Sequence, residues 1–390
     1  MSRFHSYLNS AVQILSEYDG NTPFSLFIKR FFSKHKKYGS RDRRLIADYC
    51  YQYFRIGKAF QKLPVEERIL TGIFLCSSGP TRMMEIHNPE WNQITNKSLE
   101  EKIIQIEITE QQLLNTLFPW EQELSDGIEF ERFAKSYFAK PSVFIRVRSQ
   151  KRETVRLKLK GHHIPFKEIS EHTFSVEANS KLDQLLKLDS EVVIQDLSSQ
   201  KIREFLPEVL GNKELKVWDC CAASGGKSIL AFDINPMIKL TVSDIRTSIL
   251  KNLEERFLSA GINNFQSYEI DLTQEQTQIP NAPFDVIIAD VPCSGSGTWG
   301  RTPEQLFYFE ESKIEEYANL QRSIISNAVL HLNNGGFLVY ITCSVFKKEN
   351  EANIEFLVTE FGLNEIRTEV LKGYNQKADS MFVSVLKKDF

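Results

Sequence analysis

The sequence predicts an open, doubly wound α/β sheet in its C-terminal half, preceded by a helical segment and a small strand-rich module. Three observations carry that expectation. From Leu210 onward, short apolar runs recur and each ends in a polar turn; amphipathic stretches of helical length separate them; and small or acidic residues fill several of the turns. At 390 residues and 42% hydrophobic content, the chain is long enough for two or three separately cored domains.

Residues 1–118 read as helical, with Leu45, Ile46, Tyr49, Tyr53 and Ile56 at three- and four-residue spacing. Arg3, His5 and Asn9 interrupt Phe4, Tyr7, Leu8 and Leu15, so no continuous apolar stretch precedes a small-residue cleavage site, and a mature cytoplasmic start is expected. Ser77-Ser78-Gly79-Pro80 is a turn, and Phe118-Pro119-Trp120 marks a break. Residues 119–200 are expected to form a small α+β module. A helical segment lies around Phe130 to Phe138. After Pro141 the pattern alternates, with Val143, Ile145 and Val147 on one face, then strands at Val155 to Leu159 and Phe174 to Val176 around a turn at Gly161. Residues 201–390 carry the main sheet. Its strands are expected at Leu215 to Trp218, Leu240 to Val242, Gln266 to Ile270, Val286 to Ala289, Phe337 to Ile341 and Phe382 to Leu386, with helices at Ile249 to Phe257 and Ile314 to Leu330.

Composition excludes some classes. Apolar runs such as Phe337 to Ile341 fall far short of the roughly 18 residues of a membrane span. The six cysteines have neither zinc spacing nor the density of a disulfide scaffold, so a reducing compartment and no metal are expected. Net charge is only −3, which leaves local clusters to indicate a polyanion partner. Two exist. Lys29, Arg30, Lys34, Lys36, Lys37, Arg41, Arg43 and Arg44 face a single acid, Asp42; Arg146, Arg148, Lys151, Arg152, Arg156, Lys158 and Lys160 face Glu153 alone. Two such runs outside the motif-bearing half favour phosphate contact. Nothing here fixes the oligomeric state, and a monomer is favoured.

The first strand of the main sheet runs into Asp219-Cys220-Cys221-Ala222-Ala223-Ser224-Gly225-Gly226-Lys227-Ser228, a small-residue turn at the sheet edge where ligands bind in such folds. Asp244 ends the next strand, placed to accept hydrogen bonds from two ribose hydroxyls, and Asp271 follows the third, within reach of an adenine amino group. A nucleotide-triphosphate loop is the alternative for Gly226-Lys227-Ser228, but Cys221 stands where its first glycine is required. The fourth strand leads into Asp290-Val291-Pro292-Cys293-Ser294-Gly295, and the fifth into Thr342-Cys343-Ser344. Neighbouring strands should bring both cysteines to one crevice, beyond the ordinary role of a small buried thiol.

At these residues the sequence resembles the RNA 5-methylcytosine methyltransferases of bacterial RsmB and eukaryotic NSUN type. The family's Cys-Ala-Ala-Pro-Gly-Gly-Lys is matched from Cys221 to Lys227 with Ser224 in place of proline; its Asp-x-Pro-Cys-Ser-Gly by Asp290 to Gly295; and its Thr-Cys-Ser by Thr342 to Ser344, followed by Glu349-Asn350-Glu351. Val193 to Gln200 is similar to the stretch before the family's catalytic domain, Asp379-Ser380-Met381-Phe382 stands for its Asp-Gly-Phe-Phe, and Asp42 to Arg55 is weakly similar to the NusB-like extension of the RsmB branch. The resemblance implies a Rossmann-like class I methyltransferase domain that uses S-adenosylmethionine, held by Cys221, Ala222, Ala223, Ser224, Gly225, Gly226, Lys227, Asp244, Asp271 and Asp290. It implies attack by Cys343 on carbon 6 of cytosine, with Lys227 and Asp290 facing the base and Cys293 assisting release. Such chemistry needs two thiols, because carbon 5 becomes nucleophilic only after a thiolate has added to carbon 6. Ribosomal RNA is the favoured substrate. The alternatives are a transfer RNA enzyme and a non-catalytic RNA-binding assembly factor, with DNA or protein methylation on the same fold behind them.

Overall fold

The computed structural model describes residues 3–177, 180–274, 279–280 and 282–389. They fall into two compact units, Met1–Leu124 with Glu129–Lys140 and Thr298–Glu311, and Ser125–Ile128 with Pro141–Gly297 and Ser312–Phe390. The expected 119–200 module is thereby shared, its first part lying with the helices and its strands with the second unit.

The first unit is helical, built on Arg3–Glu17, Phe24–Lys34, Ser40–Arg55 and Val65–Cys76. Ile46, Tyr49, Cys50 and Phe54 line the buried side of Ser40–Arg55, so the helical spacing in the sequence reports the core. Residues 298–311 return to this unit from the middle of the C-terminal half. Their short helix Pro303–Tyr308 packs Tyr308 edge-on against Tyr18, and Glu304 accepts the Phe24 amide at 3.1 Å. Aromatic complementarity between segments 280 residues apart draws them together, and no local pattern announces it.

The second unit holds two sheets. β1 (Val143–Val147), β2 (Phe166–Glu168), β3 (Thr173–Val176) and β4 (Val192–Ile194) form an antiparallel sheet of order β2-β3-β1-β4. Val155 to Leu159, expected as a strand, lies instead within the helix Arg152–Gly161. The alternating Val155, Leu157 and Leu159 imitates a strand, but only Val155 and Leu159, four apart, enter the core, while Leu157 is 61% exposed.

The main sheet comprises β5 (Lys216–Asp219), β6 (Lys239–Asp244), β7 (Phe265–Glu269), β8 (Phe284–Asp290), β9 (Leu332–Thr342), β10 (Leu363–Leu371) and β11 (Met381–Lys388), in the order β10-β11-β9-β8-β5-β6-β7. Strands β9, β8, β5, β6 and β7 are mutually parallel, and β11 pairs antiparallel with both β9 and β10. Successive residues serve opposite faces. Val286 and Ile288 pack toward the helices Gly226–Ile234 and Thr247–Ala260, whereas Ile287 and Ala289 pack toward Ser312–Val329 and Glu351–Phe361. The expected doubly wound architecture is therefore present, with apolar runs where both faces are covered. β10 escapes sequence reading because its middle is polar and mostly exposed, from Asn364 to Glu369.

Candidate active site

The carboxyl ends of β5, β6, β7, β8 and β9 place five turns around a cavity of about 500 Å³. Cys221, Ala223, Asp244, Asp271, Asp290, Cys293 and Cys343 line it, together with the apolar Ile245, Leu272, Leu320 and Ile324. Ala222, Ser224, Gly225, Gly226 and Lys227 do not line it; they shape the turn behind it.

That turn is closely determined. Gly225 has φ +81°, and a Cβ there would stand 2.6 Å from the Phe257 ring and 3.0 Å from Leu253, so glycine is required on both grounds. Asp244 accepts the Ala223 amide at 3.0 Å, tying the turn to the end of β6. Ser224 is held by Arg256, whose guanidinium donates to its carbonyl at 2.5 Å and its hydroxyl at 2.9 Å and is itself paired with Asp189 at 2.7 Å. A bidentate arginine thus restrains a turn that lacks the family's proline. Behind the turn, burial pushes the Asp219 carboxyl up to about 7, against the pull of the Ser228 hydroxyl that donates to it at 2.5 Å.

Asp271 caps its own turn, accepting the Thr273 amide at 2.9 Å and hydroxyl at 2.6 Å, and these bonds hold its carboxyl below the usual range. Asp290 forms an ion pair with Lys227 at 2.8 Å; the lysine is nearly buried and the carboxylate 31% exposed. The two cysteines meet, with Cys293 Sγ 3.1 Å from Cys343 Sγ, closer than ordinary sulfur contact and short enough for a shared proton. Cys293 is pushed well above the usual thiol range by its hydrogen bond with Cys343, by burial, and by the charges of Cys343 and Glu349. Gly297 closes the Cys293 turn. Its amide donates to the Cys343 carbonyl at 2.8 Å and its carbonyl accepts the Ser380 amide at 2.9 Å, leaving only 2.0 Å between a Cβ at 297 and the Ser380 oxygen. The divergent Asp379-Ser380-Met381-Phe382 segment is therefore engaged through its backbone.

Sequence reasoning missed Ile245 and Gln321 here, and named Glu349 without giving it a role. Ile245, 57% exposed, forms an apolar wall immediately after Asp244. Gln321 and Glu349 are fully buried behind the two cysteine turns. The one signal for Glu349 was its place six residues after Cys343.

Residues 209–385 match the family of 16S rRNA methyltransferases RsmB/F. Over this segment the chain is similar to the RsmB/F family. The ribosomal RNA small subunit methyltransferase B of Klebsiella pneumoniae is 32% identical over 169 residues, 42% of this chain and 37% of that protein. The chain thus spans little more than a third of that relative's length. Among solved structures, PH0851 superimposes over 97% of both chains with a TM-score of 0.70 and 21% identity. NSun6 from Pyrococcus horikoshii, solved with SFG, covers 67% of this chain and 94% of its own at a TM-score of 0.56 and 17% identity. Both share the fold of the RsmB/F segment and its surroundings.

The two basic runs have different fates. In the second, Arg146 and Arg148 pair with Asp233, Arg152 and Arg156 with Glu168, and Lys158 with Glu191. Five of the seven cations thus have intramolecular carboxylate partners, and Arg146, 2% exposed, is structural; Lys151 and Lys160 are exposed. In the helical unit, Lys29, Arg30, Lys34, Lys36, Lys37, Arg41 and Arg44 are all exposed. None of them has a carboxylate within salt-bridge distance among the described residues.

Proposed function

We propose that this protein transfers a methyl group from S-adenosylmethionine to carbon 5 of a cytosine in RNA, with ribosomal RNA as the substrate class. The observation that carries the reading is the pair of sulfurs 3.1 Å apart on the wall of a cavity that also presents Asp244 and Asp271.

The cavity's lining fits the methyl donor. Asp244 and Asp271 offer carboxylate oxygens to sugar hydroxyls and to an adenine amino group, and Ile245 and Leu272 offer apolar walls to a base. Arg246, 57% exposed in its side chain, occupies outward positions on Asp244 at 3.0 Å, where sugar hydroxyls would exchange with it. When bound, the donor supplies an electrophilic methyl group. The chain's own residues do the rest. Cys343, its proton lost to solvent, bonds through Sγ to carbon 6, and the electrons of the 5,6 double bond make carbon 5 nucleophilic, so that it would accept the donor's methyl group as the thioether departs. Asp290 lines the cavity with Lys227 paired behind it, and a proton held between the two and shared with ring nitrogen 3 would relieve the charge the addition creates. Cys293, once its own proton has passed to solvent, takes the proton from carbon 5; the double bond re-forms and Cys343 leaves as thiolate.

Radiolabelled S-adenosylmethionine with unmodified ribosomal RNA is expected to yield labelled 5-methylcytosine in nuclease digests. Absence of label in every RNA pool, with normal RNA retention on filters, would return the protein to a binding role. The unpaired cations of the helical unit support a polyanionic partner. Replacing Lys34, Lys36, Lys37 and Arg41 with glutamine should weaken RNA binding and reduce the slope of log affinity against log salt by about 3, near 0.7 per lost phosphate contact on single strands. An unchanged slope would remove this face from the RNA interface.

A further inference from the structure

The turns that carry Cys293 and Cys343 leave β8 and β9 fifty residues apart in the chain, and their sulfurs meet only if something holds the turns in register. Glu349 is placed to do so. Its carboxylate is fully buried, accepts the Ser294 amide at 2.9 Å and the Gln321 side-chain amide at 2.8 Å on one oxygen, and accepts the Ser344 hydroxyl at 2.6 Å on the other. Ser294 and Ser344 each immediately follow a cysteine. Gln321 also donates to the Pro292 carbonyl at 3.0 Å, so groups on both sides of Cys293 and directly after Cys343 converge on one side chain.

The chemistry of the site requires a carboxylate rather than any buried polar group. All three partners present hydrogens, and an ionised carboxyl group is acceptor-only with room for each of them. The outer shell is equally well satisfied: the Glu349 carbonyl accepts the Tyr340 hydroxyl at 2.6 Å, and Gln321 accepts the Asn353 side-chain amide at 2.8 Å. A network this complete is rigid, and a charge held in it without a cationic partner among these groups has a cost the fold must recover through position.

We propose that Glu349 is a positioning residue that sets the separation and facing of the Cys293 and Cys343 sulfurs. Its consequence for catalysis rests on the methyltransferase reading; the sulfur geometry does not, and can be measured alone. A diazene oxidant such as diamide reports it. Each thiol gives up one proton and one electron, a sulfur–sulfur bond forms, and the nitrogen–nitrogen double bond is reduced to a hydrazine. In the full-length protein, the Cys293–Cys343 linked peptide can be followed by non-reducing mass mapping. Glu349→Ala is expected to slow linkage by about tenfold or more, and Glu349→Gln, which keeps one acceptor oxygen, by less. Ser344→Ala removes one of the bonds and leaves the carboxylate on Ser294 and Gln321; it should slow linkage about threefold and serves if Glu349→Ala does not fold. Linkage at the wild-type rate in the folded variants overturns the proposal. If methyl transfer is present, Glu349→Ala should lower kcat about 100-fold with little change in KM for RNA, and Glu349→Gln should restore part of it. If the wild-type protein methylates nothing, the functional reading fails while the linkage rates still decide the role of Glu349.

Discussion

Cys343→Ala is expected to lower methyl transfer to RNA by about four orders of magnitude or more, and to leave folding and RNA affinity almost unchanged. The size follows from the chemistry. Carbon 5 of cytosine has no useful nucleophilicity until carbon 6 carries a sulfur substituent, so removal of the attacking atom removes the step and not merely its acceleration. The neutrality of folding follows from position. The Cys343 side chain is only part-buried, in a turn beyond β9, and its loss should cost less than about 1 kcal/mol of stability. A tritium-release or methyl-labelling assay beside a thermal melt separates the two effects. Substantial residual transfer would assign the attack to another atom, with Cys293 the first to examine because it stands 3.1 Å away.

Cys293→Ala is expected to give the opposite phenotype on a denaturing gel. The first methyl group is transferred, the carbon 5 proton has no acceptor, and the protein remains covalently joined to RNA, with turnover reduced by about 10²- to 10⁴-fold as for loss of a general base. The thiol's environment accounts for the order of events. Before attack, Cys293 is kept protonated chiefly by Cys343, through the hydrogen bond between them and through its charge. Once Cys343 is bonded to carbon 6, those influences vanish, and Cys293 becomes easier to deprotonate just when a base is wanted. An adduct that accumulates with Cys343→Ala instead would exchange the two roles; no adduct with either variant would remove Cys293 from release.

The elements that sequence reading located well are those in which local and global demands agree. The central residues of strands β5, β6, β8 and β9, such as Val217 and Trp218 or Val286 to Ala289, are buried on both faces, so short apolar runs stand out. The turns after them carry glycines and acids that no core would tolerate without purpose, such as Gly225 with φ +81°. Where one side of an element is exposed, the signal fades. Residues 155 to 159 imitated a strand because a short amphipathic helix and a short strand share apolar spacing over five positions. β10 carried almost no apolar signal at all.

The same division holds for charge. Two basic runs of similar density are indistinguishable as sequence. Only the fold brings Asp233, Glu168 and Glu191 against the second, pairing Arg146 and its neighbours, while among the described residues it brings no carboxylate within salt-bridge distance of the cations from Lys29 to Arg41. Pairing partners of a charge are set by long-range packing, which composition does not encode.

By itself, then, the chain determined most of its sheet, the turn that shapes one wall of the cavity, and which two thiols follow neighbouring strands, because those properties reside in contiguous residues whose periodicity and chemistry are local. Tertiary structure alone decided that the sulfurs lie 3.1 Å apart, that Arg256 braces Ser224 where a proline was expected, and that Glu349 joins both cysteine turns. Those contacts link positions separated by 5 to 55 residues, most of them in turns that follow different strands. Their distances arise from how the helices seat on the sheet, which is a property of the packed core rather than of any segment.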